Sequence, residues 1–237
     1  MSLKQAANGA MMALNPWIPY QKSKDDACLR LFCFPYAGGS ASIFTLWPKE
    51  APATIEICSV QLPGRETRRQ EAPVNRLALL LPQLEAALRP LLDKPFAFFG
   101  HSMGAILAFE LARRLGPQAA PRALFLSACP APGTTRLAPL HQLPQAEFVA
   151  ALQERYPMMD QGILQDPELL QLFLPVLRAD LALYETYVYA AGVPLSCPIH
   201  VFGGLQDHVV RRAHLAAWQP ETTGDFTQRM FPGDHFF

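Results

Sequence analysis

The sequence predicts an α/β protein: a mostly parallel, twisted sheet with helices on both faces and one long helical insertion. Three observations predict it. Short, wholly apolar runs such as 96–99 ("FAFF") suit strands buried on both faces of a parallel sheet. These runs alternate with stretches of helical period, as in repeated β–α units. From Arg136 to about Tyr189 the patterning is helical throughout, and that stretch is too long for an ordinary connection.

The first strand is Leu29–Phe34, which ends in the turn Pro35-Tyr36-Ala37-Gly38-Gly39-Ser40. A helix is expected over Ala41–Leu46, stopped at Pro48. A second strand, Ile55–Gln61, is rich in β-branched residues and breaks at Leu62-Pro63-Gly64-Arg65. From Arg76 to Leu92 the spacing of Leu77, Leu80, Leu81, Leu84 and Leu88 follows the helical period, with Pro82 bending its start. The buried strand Phe96–Phe99 then leads into a helix over Ala105–Leu115, closed by Gly116-Pro117. Another buried strand follows at Ala123–Ala128. In the insertion, Glu147–Gln153, Pro167–Phe173 and Val176–Tyr189 read as separate helices. The sheet resumes at Ile199–Phe202, a short helix falls near Arg211–Trp218, and the last strand is Phe226–Phe231.

With 237 residues, half of them apolar, the chain can bury one large core. Residues 1–26 read as a flexible leader, and 27–237 as a single domain with its insertion at about 136–189. Twenty basic and twenty acidic residues cancel, which gives no lead toward nucleic acid. The cluster Arg65, Arg68, Arg69 reads as a solvated surface face. Five cysteines, an odd count without metal-ligand spacing, read as reduced and mostly buried thiols of a cytoplasmic protein. No apolar stretch is long enough to span a membrane.

The strongest chemical signal is Gly100-x-Ser102-x-Gly104 between a strand and a helix. A nucleophile on so tight a turn has its side chain held clear of the backbone, and the turn needs small residues two positions away on each side. The helix that starts after Ser102 points free N–H groups and its positive dipole end at the site. Serine is a poor nucleophile until a base takes its proton. In the α/β-hydrolase fold the chain order is serine, acid, histidine. His235, beyond the last strand, fits the base, and Asp207, directly after the strand "IHVFGG", fits the acid that orients it. Asp234, Asp225, Asp180 and Glu185 are weaker candidates: the first two read as turn residues, the others lie in the insertion. The oxyanion hole needs two backbone donors. Met103 supplies one, and the glycine-bearing loop after the first strand supplies the other, expected at Ala37 with Tyr36 beside it.

The remaining histidines have plainer readings. His101 lines the pocket or fills its slot, His208 flanks the site, and His141, His200 and His214 have no nameable partner. The stripe Leu172, Phe173, Val176, Leu177, Leu181, Tyr184 is core packing by default; if the insertion is a lid, part of it lines an acyl channel.

Several segments together resemble one family, the stand-alone type II thioesterases of polyketide and nonribosomal peptide assembly lines. They are "FCFPYAGGSAS" at 32–42, "QLPGRE" at 61–66, "FFGHSMGA" at 98–105, "LRADLALYETY" at 177–187 and "GDHFF" at 233–237. The resemblance runs from about Leu29 to Phe237. It implies Ser102, Asp207 and His235 as the triad, with Ala37 and Met103 as oxyanion donors. It also implies acyl groups held as thioesters on the phosphopantetheine arm of carrier domains, and a mobile helical lid over the pocket. Such members usually continue into a closing helix past "HFF", where this sequence stops. The chemistry requires no metal or redox cofactor. The chain is expected to be a monomer acting on acyl or peptidyl carrier domains. Two other reactions use the same residues: hydrolysis of small-molecule esters, as by an esterase or lipase, and acyl transfer to an alcohol or amine. A non-catalytic binding module on this fold is a further alternative, disfavoured by the intact serine, aspartate and histidine.

Overall fold

The structure is a computed structural model that describes residues 15–20, 26–134, 138–157 and 166–237. Its six strands are β1 (Leu29–Phe34), β2 (Ile55–Ser59), β3 (Phe96–His101), β4 (Leu124–Ser127), β5 (Ile199–Gly204) and β6 (Phe226–Phe231). They form one sheet in the order β2-β1-β3-β4-β5-β6, and all five pairings are parallel. The helices are α1 (Trp47–Glu50), α2 (Leu77–Leu88), α3 (Met103–Leu115), α4 (Gln145–Arg155), α5 (Pro167–Glu185) and α6 (Arg212–Ala216).

The first and last strands have the predicted limits, because turn residues close each of them: Pro35 after β1, and Gly224-Asp225 and Pro232-Gly233 on either side of β6. β2 ends early, at Ser59, since the Gln61 side chain turns away to bond the neighbouring loop. Pro48 does not stop a helix. It occupies the first turn of α1, where a missing N–H costs nothing, after a 3₁₀ turn over Ala41–Phe44. Pro175 likewise does not divide the insertion's last two helices. α5 runs unbroken for 19 residues, with Pro167 in its first turn and buried Val176 and Leu177 anchoring it just past the proline.

The main core lies between the sheet and helices α2 and α3, with Phe32, Phe98, Phe109 and Trp218 essentially inaccessible to solvent. A smaller cluster of Cys33, Phe44 and Ile57 packs on the other face. The described residues between β4 and β5 form α4 and α5, which share a third core made of Leu140, Phe148, Leu152, Tyr156, Leu177 and Leu181.

Two expectations need correction. Residues 1–14 and 21–25 of the expected flexible leader lie outside the described residues, but 15–20 are packed: Trp17 and Ile18 join the main core, and the Trp17 carbonyl accepts from the Gln61 N–H at 2.8 Å. The arginine cluster is a solvated face only at Arg69, which is exposed. Arg65 and Arg68 are 5% and 6% exposed. Arg68 is held by Glu71, by the Gln61 carbonyl and by the face of Trp17, 3.9 Å from the ring centre, while Arg65 faces inward to an acidic partner. Of the five cysteines, four are buried and Cys28 is exposed; all are free thiols.

Strand order places the site. β1 has β2 on one side and β3 on the other, so the chain reverses direction across the sheet at β1. The crevice at the carboxyl ends of strands beside such a reversal is where ligands bind in open α/β sheets. The loops after β1, β3, β5 and β6, which carry Ala37, Ser102, Asp207 and His235, all leave from that edge.

Candidate active site

Ser102 sits between β3 and α3 with φ 53° and ψ −117°, a left-handed conformation that non-glycine residues rarely adopt. The surroundings enforce it. A Cβ on Gly100 would overlap the Gly104 carbonyl, and a Cβ on Gly104 would overlap the carbonyl of Phe34 at the end of β1. The Ser102 N–H donates to the Ser127 carbonyl at 2.8 Å, which ties the turn to the next strand. The strain therefore belongs to a turn gripped from three sides.

His235 and Asp207 reach this turn from far along the chain. The His235 Nε2 lies 3.0 Å from the Ser102 Oγ, and its Nδ1 lies 2.8 Å from the Asp207 Oδ2. The acid loop and the base loop are joined by backbone: Leu205 N–H donates to the Phe231 carbonyl and Gln206 N–H to the Gly233 carbonyl, both at 2.8 Å. Gly204 lets the Asp234 carbonyl approach where a Cβ would overlap it. Asp207 Oδ1 accepts from the N–H groups of Val209 and Val210 at 2.8 and 3.0 Å. Burial opposes the charged form of Asp207. The hydrogen bond and charge of His235, with those two N–H donors, outweigh it and hold the carboxyl below its ordinary value. The group is thus an anion aimed at one ring nitrogen, which fixes the tautomer that leaves Nε2 facing the hydroxyl.

The competing acids are otherwise engaged. Asp234 accepts from the Phe236 N–H at 2.9 Å in a local turn. Glu185 accepts from the backbone of Leu140 and His141 and from the His141 ring. Asp180 binds Arg65. The backbone carbonyl of Asp225 accepts from the Ile199 N–H at the start of β5.

Ala37 and Met103 line the same small cavity as Ser102 and His235. Among the described residues, no group accepts a hydrogen bond from either backbone N–H. Two donors are thereby available beside the hydroxyl, where the negative oxygen of a tetrahedral intermediate forms. Tyr36, expected beside Ala37, lines the same cavity. Its ring packs against His101 and Phe236, with centroids 5.8 and 5.1 Å away.

His101 is more than filler. Its Nδ1 lies 3.0 Å from the Ser127 Oγ, and its ring lies against both His235 and Phe236. Burial, with the charge of His235 adding to it, lowers its pKa to about 3. It therefore stays neutral beside the His235 ring and places no positive charge next to it. His141, His200 and His214, which lacked partners in the sequence, bond Glu185, Thr227 and the Arg211 N–H.

Helices α4 and α5 cover the site. Leu152, Tyr156, Leu177, Leu181 and Tyr184 line the cavity beside Ser102, whose volume is only about 20 Å³. Tyr156 lies over the His235 ring at 4.9 Å, a contact that no sequence pattern marked. Of the leucine stripe, Leu172 is 63% exposed, while Leu177 and Leu181 are buried over the site. A larger cavity of about 460 Å³ shares Tyr184 with the first and is lined by Ile106, Pro130, Pro132, Pro139 and Val188.

Comparison with known proteins adds independent information. A family model described as "Thioesterase domain" matches residues 29–237. The gramicidin S biosynthesis protein GrsT of Aneurinibacillus migulanus is 41% identical over 227 residues, covering 94% of this chain and 88% of that protein. The RedJ thioesterase of the prodiginine pathway in Streptomyces coelicolor superposes with a TM-score of 0.83 at 36% identity, covering 91% of this chain and 81% of that one. The type II thioesterase BorB of the borrelidin cluster superposes with a TM-score of 0.82 at 38% identity, covering 92% and 90%.

Proposed function

The chain belongs to the thioesterase domain family, and from that premise we propose that it releases acyl groups from the phosphopantetheine arms of carrier domains in a polyketide or nonribosomal peptide assembly line. It is a serine hydrolase of the α/β-hydrolase type and a stand-alone type II thioesterase. The observation that carries the mechanism is the continuous hydrogen-bonded series Ser102, His235, Asp207.

In this reading the Ser102 hydroxyl attacks the thioester carbonyl while His235 Nε2 takes its proton. The N–H groups of Ala37 and Met103 hold the oxyanion. The tetrahedral intermediate collapses, the C–S bond breaks, and His235 returns the proton to the departing phosphopantetheine thiol. Water, deprotonated by His235, then attacks the acyl-Ser102 ester; the bond from the acyl carbon to Oγ breaks, His235 returns the proton to Ser102, and the free acid leaves. No metal or redox cofactor takes part. The acyl chain is assigned to the larger cavity beyond Tyr184. A cavity of about 20 Å³ beside Ser102 admits no acyl group, so α4 and α5 act as a lid that moves for entry. The function is removal of stalled or wrongly loaded acyl groups, by a monomer in the cytoplasm.

Mass spectrometry of carrier proteins loaded with a panel of acyl groups tests the reading. The wild-type chain should convert them to free carrier thiol, and Ser102→Ala should lose turnover by several orders of magnitude. Unchanged hydrolysis by Ser102→Ala would falsify the assignment of the nucleophile. Transfer of the acyl group to an added alcohol in place of water would reassign the chain as a transferase.

A further inference from the structure

The segment 61–66, "QLPGRE", lies outside the triad and the oxyanion donors, yet three of its contacts converge on the loop that carries Ala37, and a fourth braces the segment itself. Gln61 Oε1 accepts from the Ala41 N–H at 2.8 Å, and Gln61 Nε2 donates to the Arg65 carbonyl at 2.9 Å. The Ser40 hydroxyl donates to Glu66 Oε1 at 2.6 Å. The Arg65 guanidinium donates to the Gly39 carbonyl at 3.2 Å. Glu66 itself has φ 44°, a strained backbone for a glutamate, which the segment retains while the Arg65 and Glu66 side chains reach one loop.

The other half of the device comes from the lid. Asp180, 1% exposed in the middle of α5, accepts from both terminal nitrogens of Arg65, at 2.9 and 2.7 Å. Its Oδ2 also accepts from the Gly38 N–H at 2.7 Å. Gly38 is the residue after Ala37 and has φ 80°. Among the described residues the Arg65 Nε has no partner, so Asp180 and the Gly39 carbonyl alone orient the guanidinium. One carboxylate thus fixes the peptide next to the proposed oxyanion donor, and it does so from the helix that covers the pocket. A fork-to-fork pair of this kind is rigid in plane and direction, unlike a contact between leucines.

We propose that Asp180 and Arg65 are positioning residues that make the oxyanion hole competent only when α5 is docked. With the helix in place, the carboxylate holds Gly38 and, through Arg65, Gly39, and the Ala37 N–H faces the cavity beside Ser102. When the helix lifts for substrate entry, the carboxylate leaves with it and the Gly38 N–H loses its acceptor, while Glu66 still holds only the Ser40 hydroxyl. Lid closure and oxyanion stabilisation are then one event. An acyl group that lets α5 reseat is hydrolysed, and one that props α5 open is held without an oxyanion hole. The inference rests on the proposed hydrolase reading and adds a basis for selection among acyl groups.

The experiment compares the full-length wild type with Asp180→Asn and Arg65→Lys, using acyl-pantetheine thioesters and the matching acyl trifluoromethyl ketone, which forms an oxyanion on a reactive serine. Glu56→Gln, which weakens the buried Arg30–Glu56 pair at the opposite end of the sheet, serves as the structural control. The expected result for Asp180→Asn is a fall in kcat on the order of 100-fold, with KM changed less than about threefold. Affinity for the ketone should fall by the same factor. Arg65→Lys keeps the charge but not the fork, and should lose about tenfold by both measures. Glu56→Gln should lower the thermal midpoint with kcat unchanged. The inference is overturned if kcat per folded molecule is retained in Asp180→Asn, if ketone affinity does not follow kcat, or if neither variant folds, since the pair would then be a structural element. Wild-type enzyme that binds the ketone but hydrolyses no thioester would instead defeat the functional reading and leave the ketone comparison to decide this one.

Discussion

The turn around Ser102 and the helical cover above it are held by opposite means. The turn is backbone against backbone: two glycines pressed on carbonyls, a positive φ at the serine and an N–H bond to the adjacent strand. The cover is a small apolar core of six buried side chains, with one buried ion pair and the His141–Glu185 contact tying it down. A backbone vice has one low-energy arrangement, whereas leucine contacts of about 1–3 kcal/mol each separate and re-form. The difference assigns geometry to the sheet edge and access to the insertion. It also means that damage in the two regions is read by different measurements.

The largest effect is expected at the fixed centre. Asp207→Asn keeps the shape but removes the anion that sets the His235 tautomer, and kcat should drop on the order of 10⁴-fold at near-unchanged stability, as read by steady-state kinetics and thermal melting. A loss under tenfold would mean that the imidazole is oriented by something other than this carboxylate. Gly104→Ala should cost about 3 kcal/mol or more in urea unfolding, because its methyl would meet the backbone carbonyls of Phe34 and Pro35, which cannot swing aside as a side chain can. If it proves neutral, the turn is softer than the cover and the contrast fails.

Acid sharpens the picture of the centre. His101 is held neutral down to about 3 in the folded chain, while an unfolded histidine takes its proton near 6.5. The folded-state value is depressed, so stability is complete above about 6.5 and falls as pH drops toward 3. The slope reaches about 1.4 kcal/mol per pH unit from this group. Asp207, also depressed, acts in the same direction at still lower pH: its contribution is present above its unfolded value and lost as pH falls through the folded one. His101→Gln should flatten the dependence between pH 6.5 and 4 in urea titrations. An unaltered slope would place the titration elsewhere.

The smallest effect is expected in the cover. Asp166 caps α5 by accepting from the N–H groups of Glu168 and Leu169 at 2.9 and 3.1 Å. Asp166→Ala should cost about 1 kcal/mol, a shift of roughly 2–4 °C in melting temperature. It should speed labelling of Ser102 by a bulky fluorophosphonate severalfold while leaving kcat on small esters unchanged. Labelling at the wild-type rate would show that α5 does not govern access.

Much of this was legible in the chain. Leu29–Phe34 and Phe226–Phe231 were readable to the residue because each ends abruptly at turn chemistry, Pro35 after the first and Pro232-Gly233 after the last. Ser102, Asp207 and His235 were readable from chain order, and the structure brings the three within hydrogen-bonding distance. The reading erred where a local signal meets a distant partner. Arg65 and Arg68 looked solvated because charge favours water, until Asp180 in one case, and Glu71 with the Trp17 face in the other, outweighed that preference. Pro167–Phe173 and Val176–Tyr189 read as two helices, yet α5 runs through Pro175 as one, anchored by buried side chains just past it. Trp17 and Ile18 were hidden in a polar leader.

By itself the sequence determined most of the elements, the strand-to-helix turn and the three candidate triad side chains, since periodicity, turn residues and motif chemistry act over a few neighbours. Tertiary structure alone decided that Asp180 would clamp the loop bearing Ala37, that Tyr156 would lie over His235, and that the cavity at Ser102 would be nearly closed. Those contacts join residues far apart along the chain, and their energies exist only once packing has excluded water and brought the partners together.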